Sequence, residues 1–222
     1  MEEAEYDPIH FPPPQRTEPA KLYLISPQDV GGAFPDRLKA ALEPGIAVAF
    51  QLRVKDVDEH ELARLAEPLQ RICAEADVAF IVNDSMTLAK RLGADGVHLG
   101  QQDGEVREAR ALLGPQAQIG VTCHDSRHLA MEAGDAGADY VAFGAFFPTR
   151  TKEPKTAASI DLLRWWTEAT VIPCVAIGGI TTQNAPLLIQ AGADFLAVSA
   201  GVWEYSEGPE EAVRAFNALF AA

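Results

Sequence analysis

Short apolar runs alternate with amphipathic stretches along most of the chain. Apolar residues at helical spacing lie over 86–92, 106–113, 159–166 and 209–219, for example. Between such stretches lie eight runs rich in aliphatic residues, as in strands buried on both faces. These runs span 22–25, 46–52, 78–82, 96–99, 119–122, 140–143, 173–177 and 195–199. Eight strands that alternate with helices predict a single-domain α/β fold, a (β/α)8 TIM barrel.

An open, doubly wound sheet is the alternative fold for this alternation, and it fits less well. Eight strands are counted, and no Gly-x-Gly-x-x-Gly motif follows the first of them. The tripeptide Gly-Ala-Asp also occurs three times, starting at Gly93, Gly137 and Gly192, each time between a helical stretch and an apolar run. Glycine permits the left-handed backbone that ends a helix, and the polar residue closes the turn. We expect these turns at the amino-terminal rim, with the functional face at the opposite strand ends.

The chain is expected to consist of a short arm and one barrel domain. Residues 1–19 contain five prolines and few aliphatic residues, which predicts a disordered N-terminal arm. No linker interrupts the rest, so 20–222 is predicted to be the barrel. Three of the first five residues are glutamates and no apolar segment follows them, which favours a cytoplasmic location. No apolar run approaches the about 20 residues of a membrane span.

Composition narrows the classes of partner. The chain has 18 Lys and Arg against 32 Asp and Glu, a net charge of -14, which argues against nucleic acid or an anionic membrane as a partner. An anionic small molecule would therefore need a local cationic pocket. The three cysteines, Cys73, Cys123 and Cys174, have no metal-ligand spacing and are interpreted as buried, reduced thiols.

The second strand carries polar residues on one face. Alternation places Phe50, Leu52 and Val54 on one side, and Gln51, Arg53 and Lys55 on the other. If the apolar side meets the helices, two cations point toward the barrel axis near the carboxyl end of the strand. Burying them is costly unless an anionic ligand or acids of a structural network meet them, and both interpretations stay open.

Two carboxylates follow neighbouring strands. Strand 3 ends in Asn83 and Asp84, and strand 4 is followed by a loop that ends in Asp103. In a barrel these acids come close enough to share a hard cation such as Mg²⁺. Taken singly, each acid could instead cap the helix that follows it.

Glycines and hydroxyls near the ends of strands 6, 7 and 8 are typical of an anion site. Pro-Thr-Arg-Thr-Lys over 148–152 follows strand 6, Gly178 and Gly179 follow strand 7, and Ser199 follows Val198 on strand 8. Backbone amides and hydroxyls of this kind bind phosphate, and barrels often hold a phosphate after strands 7 and 8. An ordinary polar loop and a tight glycine turn are the simpler explanations.

Together these motifs resemble the thiamine phosphate synthase family. The resemblance rests on Gln-Leu-Arg-Val-Lys over 51–55, Asn83-Asp84, the run 94–103, Ile-Gly-Val-Thr-Cys-His over 119–124, 147–152 and Val-Ala-Ile-Gly-Gly-Ile over 175–180. It implies a barrel enzyme that joins 4-amino-5-hydroxymethyl-2-methylpyrimidine diphosphate to thiazole phosphate, releasing diphosphate with Mg²⁺.

The resemblance also implies a role for each matching residue. Asp84 and Asp103 would hold Mg²⁺, while Arg53, Lys55, Asn83 and Lys152 would bind the diphosphate. Gln51 would contact the pyrimidine, and Thr122 stands where the family often has Ser. Thr149 and Thr151 would lie in the loop that binds the diphosphate and the thiazole side. The thiazole phosphate would be bound by Gly179, Val198 and Ser199. The sequence departs from the family at Val54 and Gln102, where acids are common, and strand 8 is one residue short.

Two other functions remain open. A thiazole tautomerase of the same superfamily would bind thiazole phosphate without diphosphate chemistry, with His124 as acid or base. That branch tends to lack the second metal acid and the Thr-x-Thr-Lys loop, both of which are present. A non-catalytic regulatory barrel would keep the pocket alone. Trp165 and Trp166 cannot both face inward from one helix, so a homodimer contact is among the expected uses of one of them.

Overall fold

The protein is described by a computed structural model that covers residues 18–149 and 157–220. Eight parallel strands close into a barrel in sequential order. They are β1 (Lys21–Ile25), β2 (Ala47–Leu52), β3 (Ala79–Asn83), β4 (Gly96–Leu99), β5 (Gln118–His124), β6 (Tyr140–Phe143), β7 (Cys174–Ile177) and β8 (Phe195–Val198). The predicted (β/α)8 barrel is confirmed, and the open sheet is excluded.

Helices connect the strands and surround the barrel. Within the described residues they are α1 (Phe34–Leu42), α2 (Glu59–Glu75), α3 (Met86–Leu92), α4 (Val106–Leu113), α5 (Arg127–Asp135), α6 (Ile160–Ala169), α7 (Ala185–Gln190), α8 (Ala200–Trp203) and α9 (Pro209–Phe220). None of the helices in 18–149 and 157–220 is both long and apolar enough to cross a membrane. The predicted arm over 1–19 falls almost entirely outside the described residues and stays a prediction.

The core has two apolar layers, one on each side of the strands. Phe50 and Leu52 are buried in the outer layer between strands and helices, and Val54 is partly buried against it. Tyr23, Ile25 and smaller side chains fill the layer inside the barrel. The predicted alternation of strand β2 is therefore confirmed. All three cysteines are buried, and burial raises the pKa of Cys73 and of Cys123 to about 12, which keeps both as thiols.

The three Gly-Ala-Asp turns lie at the amino-terminal rim, as expected. Their glycines have φ of 60, 95 and 98° at positions 93, 137 and 192. Each aspartate does more than close its turn, because its Oδ2 accepts a hydrogen bond from the preceding strand of the barrel. The donors are the N–H groups of Phe80 to Asp95 (2.7 Å), Ile119 to Asp139 (2.6 Å) and Cys174 to Asp194 (2.9 Å). The repeat thus joins successive strands at this rim.

Candidate active site

A cavity of about 500 Å³ opens at the carboxyl-terminal rim of the barrel. Every strand, or the loop after it, contributes lining residues. Ten of the residues predicted for the site line it: Gln51, Arg53, Lys55, Asn83, Asp84, Asp103, Thr122, Thr149, Gly179 and Ser199. The sequence prediction of one shared face at this rim therefore agrees with the geometry.

The segment after strand β2 is held in place by side chains from the segment after β1. The hydroxyl of Ser26, which is 2% exposed, accepts a hydrogen bond from Arg53 N at 2.9 Å. Gln28 then pairs with both backbone groups of Lys55, accepting from its N–H at 3.1 Å and donating to its carbonyl at 2.6 Å. These side-chain hydrogen bonds continue the connection between the two chain segments beyond Leu52, where strand β2 ends. They fix the backbone from which Arg53 and Lys55 reach the cavity.

Lys55 donates a hydrogen bond to the Asp84 carboxylate and forms an ion pair with it. Their side chains are 45% and 27% exposed, so the pair lies at an open rim rather than in a structural core network. Asp84 has φ of 65°, a left-handed conformation that is uncommon for a residue other than glycine. Its backbone N–H donates to the carbonyl of His98 at 2.8 Å, which anchors the turn between β3 and α3 to strand β4.

Asp103 lies beside Asp84, and the two carboxylates affect each other. Partial burial and the neighbouring Asp84 raise the pKa of Asp103 above its usual value, although a hydrogen bond from Gly100 N at 3.0 Å and the charge of Lys55 act in the opposite direction. Two like charges held this close favour a bound cation between them. The pair is therefore a candidate metal centre.

The helix-cap alternative for the two acids does not hold. Helix α3 is capped by the Ser85 hydroxyl, which accepts a hydrogen bond from Leu88 N at 3.1 Å. Helix α4 begins after Glu105, and the cap makes no side-chain hydrogen bond there. Asp84 and Asp103 are thus left for the cavity, in contact with Lys55 and the Gly100 backbone respectively.

The donor set at this rim suits a hard divalent cation. Two carboxylates supply oxygen ligands, and no cluster of three or more His, Cys, Asp or Glu capable of holding a metal occurs within 18–149 and 157–220. A site with few protein ligands is typical of Mg²⁺, which keeps waters and takes further oxygens from substrate phosphates. The residues present therefore fit a magnesium ion that a phosphorylated ligand helps to bind.

Glycines allow the loops after β6, β7 and β8 to pack against one another beside the cavity. Gly178 and Gly179 have φ of 104 and 63°, and a Cβ on Gly179 would lie 2.3 Å from the carbonyl oxygen of Pro148. A Cβ on Gly201 would lie 2.3 Å from the carbonyl oxygen of Ile180. Close loop packing therefore requires these glycines, in addition to any anion that their amides bind.

The remaining predicted residues differ in position. Ser199 lines the cavity, but the side chain of Val198 is 1% exposed in the outer apolar layer, so only its main chain is available to a ligand. Thr149 lines the cavity, while Thr151 and Lys152 lie outside the described residues. Cys123 is buried in the outer layer whereas His124 lines the cavity, so their side chains diverge as the strand geometry predicts.

Sequence reasoning missed the polar groups beneath the cavity. The hydroxyls of Tyr23 and Tyr140 contact each other at 3.0 Å inside the barrel and connect Gln51 to His98. His98 is 7% exposed and its Nε2 lies 2.8 Å from the Thr122 hydroxyl, so it is a buried residue directly next to the site. The available signal was a tyrosine at an inward position of each of two apolar strands.

This fold and this site define a class: a TIM-barrel protein whose carboxyl-terminal rim combines a cation pair, two acids and glycine-rich loops around one cavity. A family model described as thiamine monophosphate synthase matches residues 22–202. The chain therefore belongs to the thiamine monophosphate synthase family.

Individual relatives carry the same description. A thiamine-phosphate synthase of Erythrobacter litoralis is 64% identical over 208 residues, covering 92% of this chain and 97% of the relative. One from Rhodospirillum centenum is 58% identical over 198 residues, covering 89% and 96%. Among solved structures, a thiamine phosphate pyrophosphorylase from Pyrococcus furiosus superposes with a TM-score of 0.80 at 31% identity, covering 90% of this chain and 95% of that one.

Proposed function

We propose that this chain is a thiamine phosphate synthase. It joins 4-amino-5-hydroxymethyl-2-methylpyrimidine diphosphate to thiazole phosphate and releases diphosphate in a Mg²⁺-dependent reaction. The observation that carries the proposal is the convergence of Arg53, Lys55, Asp84 and Asp103 on one cavity, in a chain of this family. A cavity of about 500 Å³ is within the usual range for small-molecule sites.

The cationic side of the cavity binds the leaving diphosphate. Arg53 and Lys55 line the cavity from the segment after β2, which Ser26 and Gln28 hold in place. Asn83 adds a side-chain amide from the end of β3. Among the described residues, Arg53 has no ion-pair partner, which leaves its guanidinium for an anion. Lys152 is proposed as a third cation on this side.

Asp84 and Asp103 are proposed to hold the magnesium ion. When bound, Mg²⁺ neutralises charge on the diphosphate and so makes it a better leaving group. Lys55 stabilises the same charge in the transition state, because it lies next to Asp84. Val54 and Gln102 leave this pair without the additional acids common in the family, so substrate phosphates have a larger share in binding the metal.

The two organic substrates are proposed to lie on opposite sides of the bond that forms. Gln51 and Thr122 bind the pyrimidine from the floor of the cavity. Thr149, Thr151, Gly179, Ser199 and the main chain of Val198 bind the thiazole phosphate. This arrangement holds the thiazole nitrogen against the reacting carbon, which replaces a bimolecular encounter by a positioned one.

The reaction needs no nucleophile from the protein. The bond between the methylene carbon and the diphosphate oxygen breaks, and its electron pair leaves with the diphosphate. The electron-rich aminopyrimidine stabilises the carbocation-like carbon, and the thiazole nitrogen then donates its lone pair to form the new C–N bond. Cys123 is buried outside the cavity as a thiol, which agrees with this scheme.

Location and assembly are part of the proposal. We place the enzyme in the cytoplasm, with the barrel domain over 20–222 and a disordered arm over 1–19. A homodimer is proposed as its assembly. Trp165 is the candidate contact residue because it is less buried than Trp166, and the Arg127 guanidinium covers part of its ring at 4.6 Å from the centroid. Light scattering of the purified full chain would distinguish a dimer from a monomer.

The decisive experiment supplies both substrates to the purified protein with Mg²⁺ and with a chelator. We expect thiamine phosphate and diphosphate in equal amounts with the metal and almost none with the chelator. Binding of both ligands without product would favour the regulatory barrel. His124 lines the cavity, so tautomerisation of thiazole phosphate without the pyrimidine substrate would instead favour the tautomerase.

A further inference from the structure

A chain of hydrogen bonds beneath the cavity connects two residues that line it. Gln51 Nε2 donates to the Tyr23 hydroxyl at 2.9 Å, and that hydroxyl lies 3.0 Å from the hydroxyl of Tyr140. His98 Nδ1 lies 3.1 Å from the Tyr140 hydroxyl, and His98 Nε2 lies 2.8 Å from Thr122 Oγ1. We call these five residues the floor network. It runs between strands β2, β1, β6, β4 and β5.

The middle of the floor network is closely packed and shielded from solvent. Tyr23 and Tyr140 are 4% and 7% exposed, and neither lines the cavity. The ring of Tyr140 stacks on His98 at 5.6 Å and fills the space left by Gly120, where a Cβ would lie 1.9 Å from the ring. Burial raises the pKa of Tyr23 to about 12, so its hydroxyl keeps its proton. Each phenol thus has one proton to donate.

Counting these protons gives the floor network a direction. The Tyr23 hydroxyl accepts from Gln51, so its own proton goes to Tyr140, its other contact among the described residues. Tyr140 then donates to His98 Nδ1, so the ring proton of His98 lies on Nε2 and is donated to Thr122. Gln51 is left with its carbonyl Oε1 for the cavity, and Thr122 with its hydroxyl proton. Turning the Gln51 amide over would require every other member to reverse.

We propose that the floor network sets the hydrogen-bond polarity of the cavity, with Gln51 as the acceptor and Thr122 as the donor. Tyr23, Tyr140 and His98 are then positioning residues that act through these two. The site selects a flat heteroaromatic ring with an amino donor facing Gln51 and an acceptor facing Thr122, which is the pattern of a 4-aminopyrimidine. A 4-oxopyrimidine has the reverse pattern and is rejected. This inference deepens the proposed function and rests on it for the position of the pyrimidine.

The test compares the binding of two ligands that differ at one group. Calorimetry would measure the affinities for the 4-aminopyrimidine diphosphate substrate and for its 4-oxo counterpart, both with Mg²⁺. We expect the wild type to prefer the amino ligand by about 100-fold, because a buried polar group left unpaired is costly. Tyr23→Phe and Tyr140→Phe remove one hydroxyl each and release the Gln51 amide, so the preference should fall by about tenfold.

Tyr205→Phe is the matched control. It removes a phenol hydroxyl from a residue outside both the cavity and the floor network, and the preference should stay at the wild-type value. The KM for thiazole phosphate should change by less than about twofold in all three variants, because the polarity of the floor concerns only the pyrimidine. A general structural defect would move both substrates together and would overturn the proposal.

The outcomes separate this inference from the proposed function. Folded Tyr23→Phe and Tyr140→Phe proteins that keep the wild-type preference would overturn the floor network as a selector, even if the enzyme makes thiamine phosphate. If Tyr140→Phe fails to fold, Tyr23→Phe decides, because it removes the direct acceptor of Gln51. A wild type that prefers the amino ligand and loses this preference in Tyr23→Phe, but shows no turnover, would support the inference and refute the proposed synthase.

Discussion

Aspartates at the amino-terminal rim accept hydrogen bonds from backbone N–H groups, whereas Asp84 and Asp103 at the carboxyl-terminal rim lie side by side at the edge of the cavity. Asp95, Asp139 and Asp194 each accept a hydrogen bond from a neighbouring strand. Asp84 and Asp103 instead repel each other, and Lys55 compensates for only part of that repulsion. Aspartate therefore stabilises the fold at the amino-terminal rim, whereas at the carboxyl-terminal rim it provides negative charge that a bound cation can balance.

Backbone geometry differs between the three repeats and the cavity, although Asp77, which lies before β3, also has a positive φ of 56°. At the amino-terminal rim, the left-handed positions of the three repeats are occupied by glycine, which adopts this conformation without strain. At the carboxyl-terminal rim, Asp84 and His124 have φ of 65 and 54° and both line the cavity. Non-glycine residues in this conformation persist where the surrounding structure imposes it, often at functional sites. Substitutions at the two rims should consequently affect different quantities.

The largest effect is expected from Asp84→Asn, because it removes one of the two acids proposed for the metal. We expect kcat/KM to fall by on the order of 10², with partial recovery at higher Mg²⁺. The free energy of unfolding should change by less than about 1 kcal/mol, since the Lys55 pair is partly exposed. Steady-state kinetics over a range of Mg²⁺ concentrations would measure the effect.

Asp56→Asn is the control for this variant. Asp56 also has a left-handed backbone, with φ of 60°, but it is exposed and does not line the cavity. Its variant should keep wild-type kinetics. Unchanged rates in Asp84→Asn would remove this residue from the metal site.

The opposite result is expected at the amino-terminal rim. Asp139→Ala leaves the N–H of Ile119 without its side-chain acceptor and breaks the ion pair between Asp139 and Arg110. The free energy of unfolding should fall by about 1–3 kcal/mol, while kcat/KM stays within about twofold of the wild type. Urea unfolding followed by circular dichroism would measure the loss.

Asp135→Ala provides the comparison on the same turn, because Asp135 is exposed and its change should stay within about 0.5 kcal/mol. A loss of activity in Asp139→Ala without a loss of stability would contradict the assignment of stability to the amino-terminal rim and of activity to the carboxyl-terminal rim.

The predictability of the two rims from sequence also differs. The Gly-Ala-Asp turns were predictable because their signal is local: a helix end, a left-handed glycine and a strand start are adjacent in the chain. The partner of each aspartate was not, since Ile119 N lies 20 residues from Asp139. Strand ends were correct within two residues because a strand buried on both faces is a continuous apolar run that ends where polar residues begin.

At the site, sequence reasoning found the charged residues and missed what supports them. Arg53, Lys55, Asp84 and Asp103 are conspicuous because charges at the ends of apolar strands demand an explanation. The contact between Tyr23 and Tyr140 spans 117 residues, and only closure of the barrel brings the two hydroxyls together. Ser26 and Gln28 were missed for the same reason, because their role as a substitute strand ladder appears only once β1 pairs with β2.

The smallest effect is expected from Asp103→Asn, measured as the pH dependence of the melting temperature without metal. The raised pKa of Asp103 means that the folded state favours its protonated form, so this group's contribution to stability is present at low pH and lost as the pH rises through the folded-state pKa. Asparagine removes the charge and keeps an acceptor for Gly100 N. We expect the variant to melt about 1–4 °C above the wild type at neutral pH and at about the same temperature near pH 4. Mg²⁺ should stabilise the wild type more than the variant.

A variant less stable than the wild type at neutral pH would show that the two acids do not repel each other in the folded protein. The contrast between the rims would then lose its electrostatic basis.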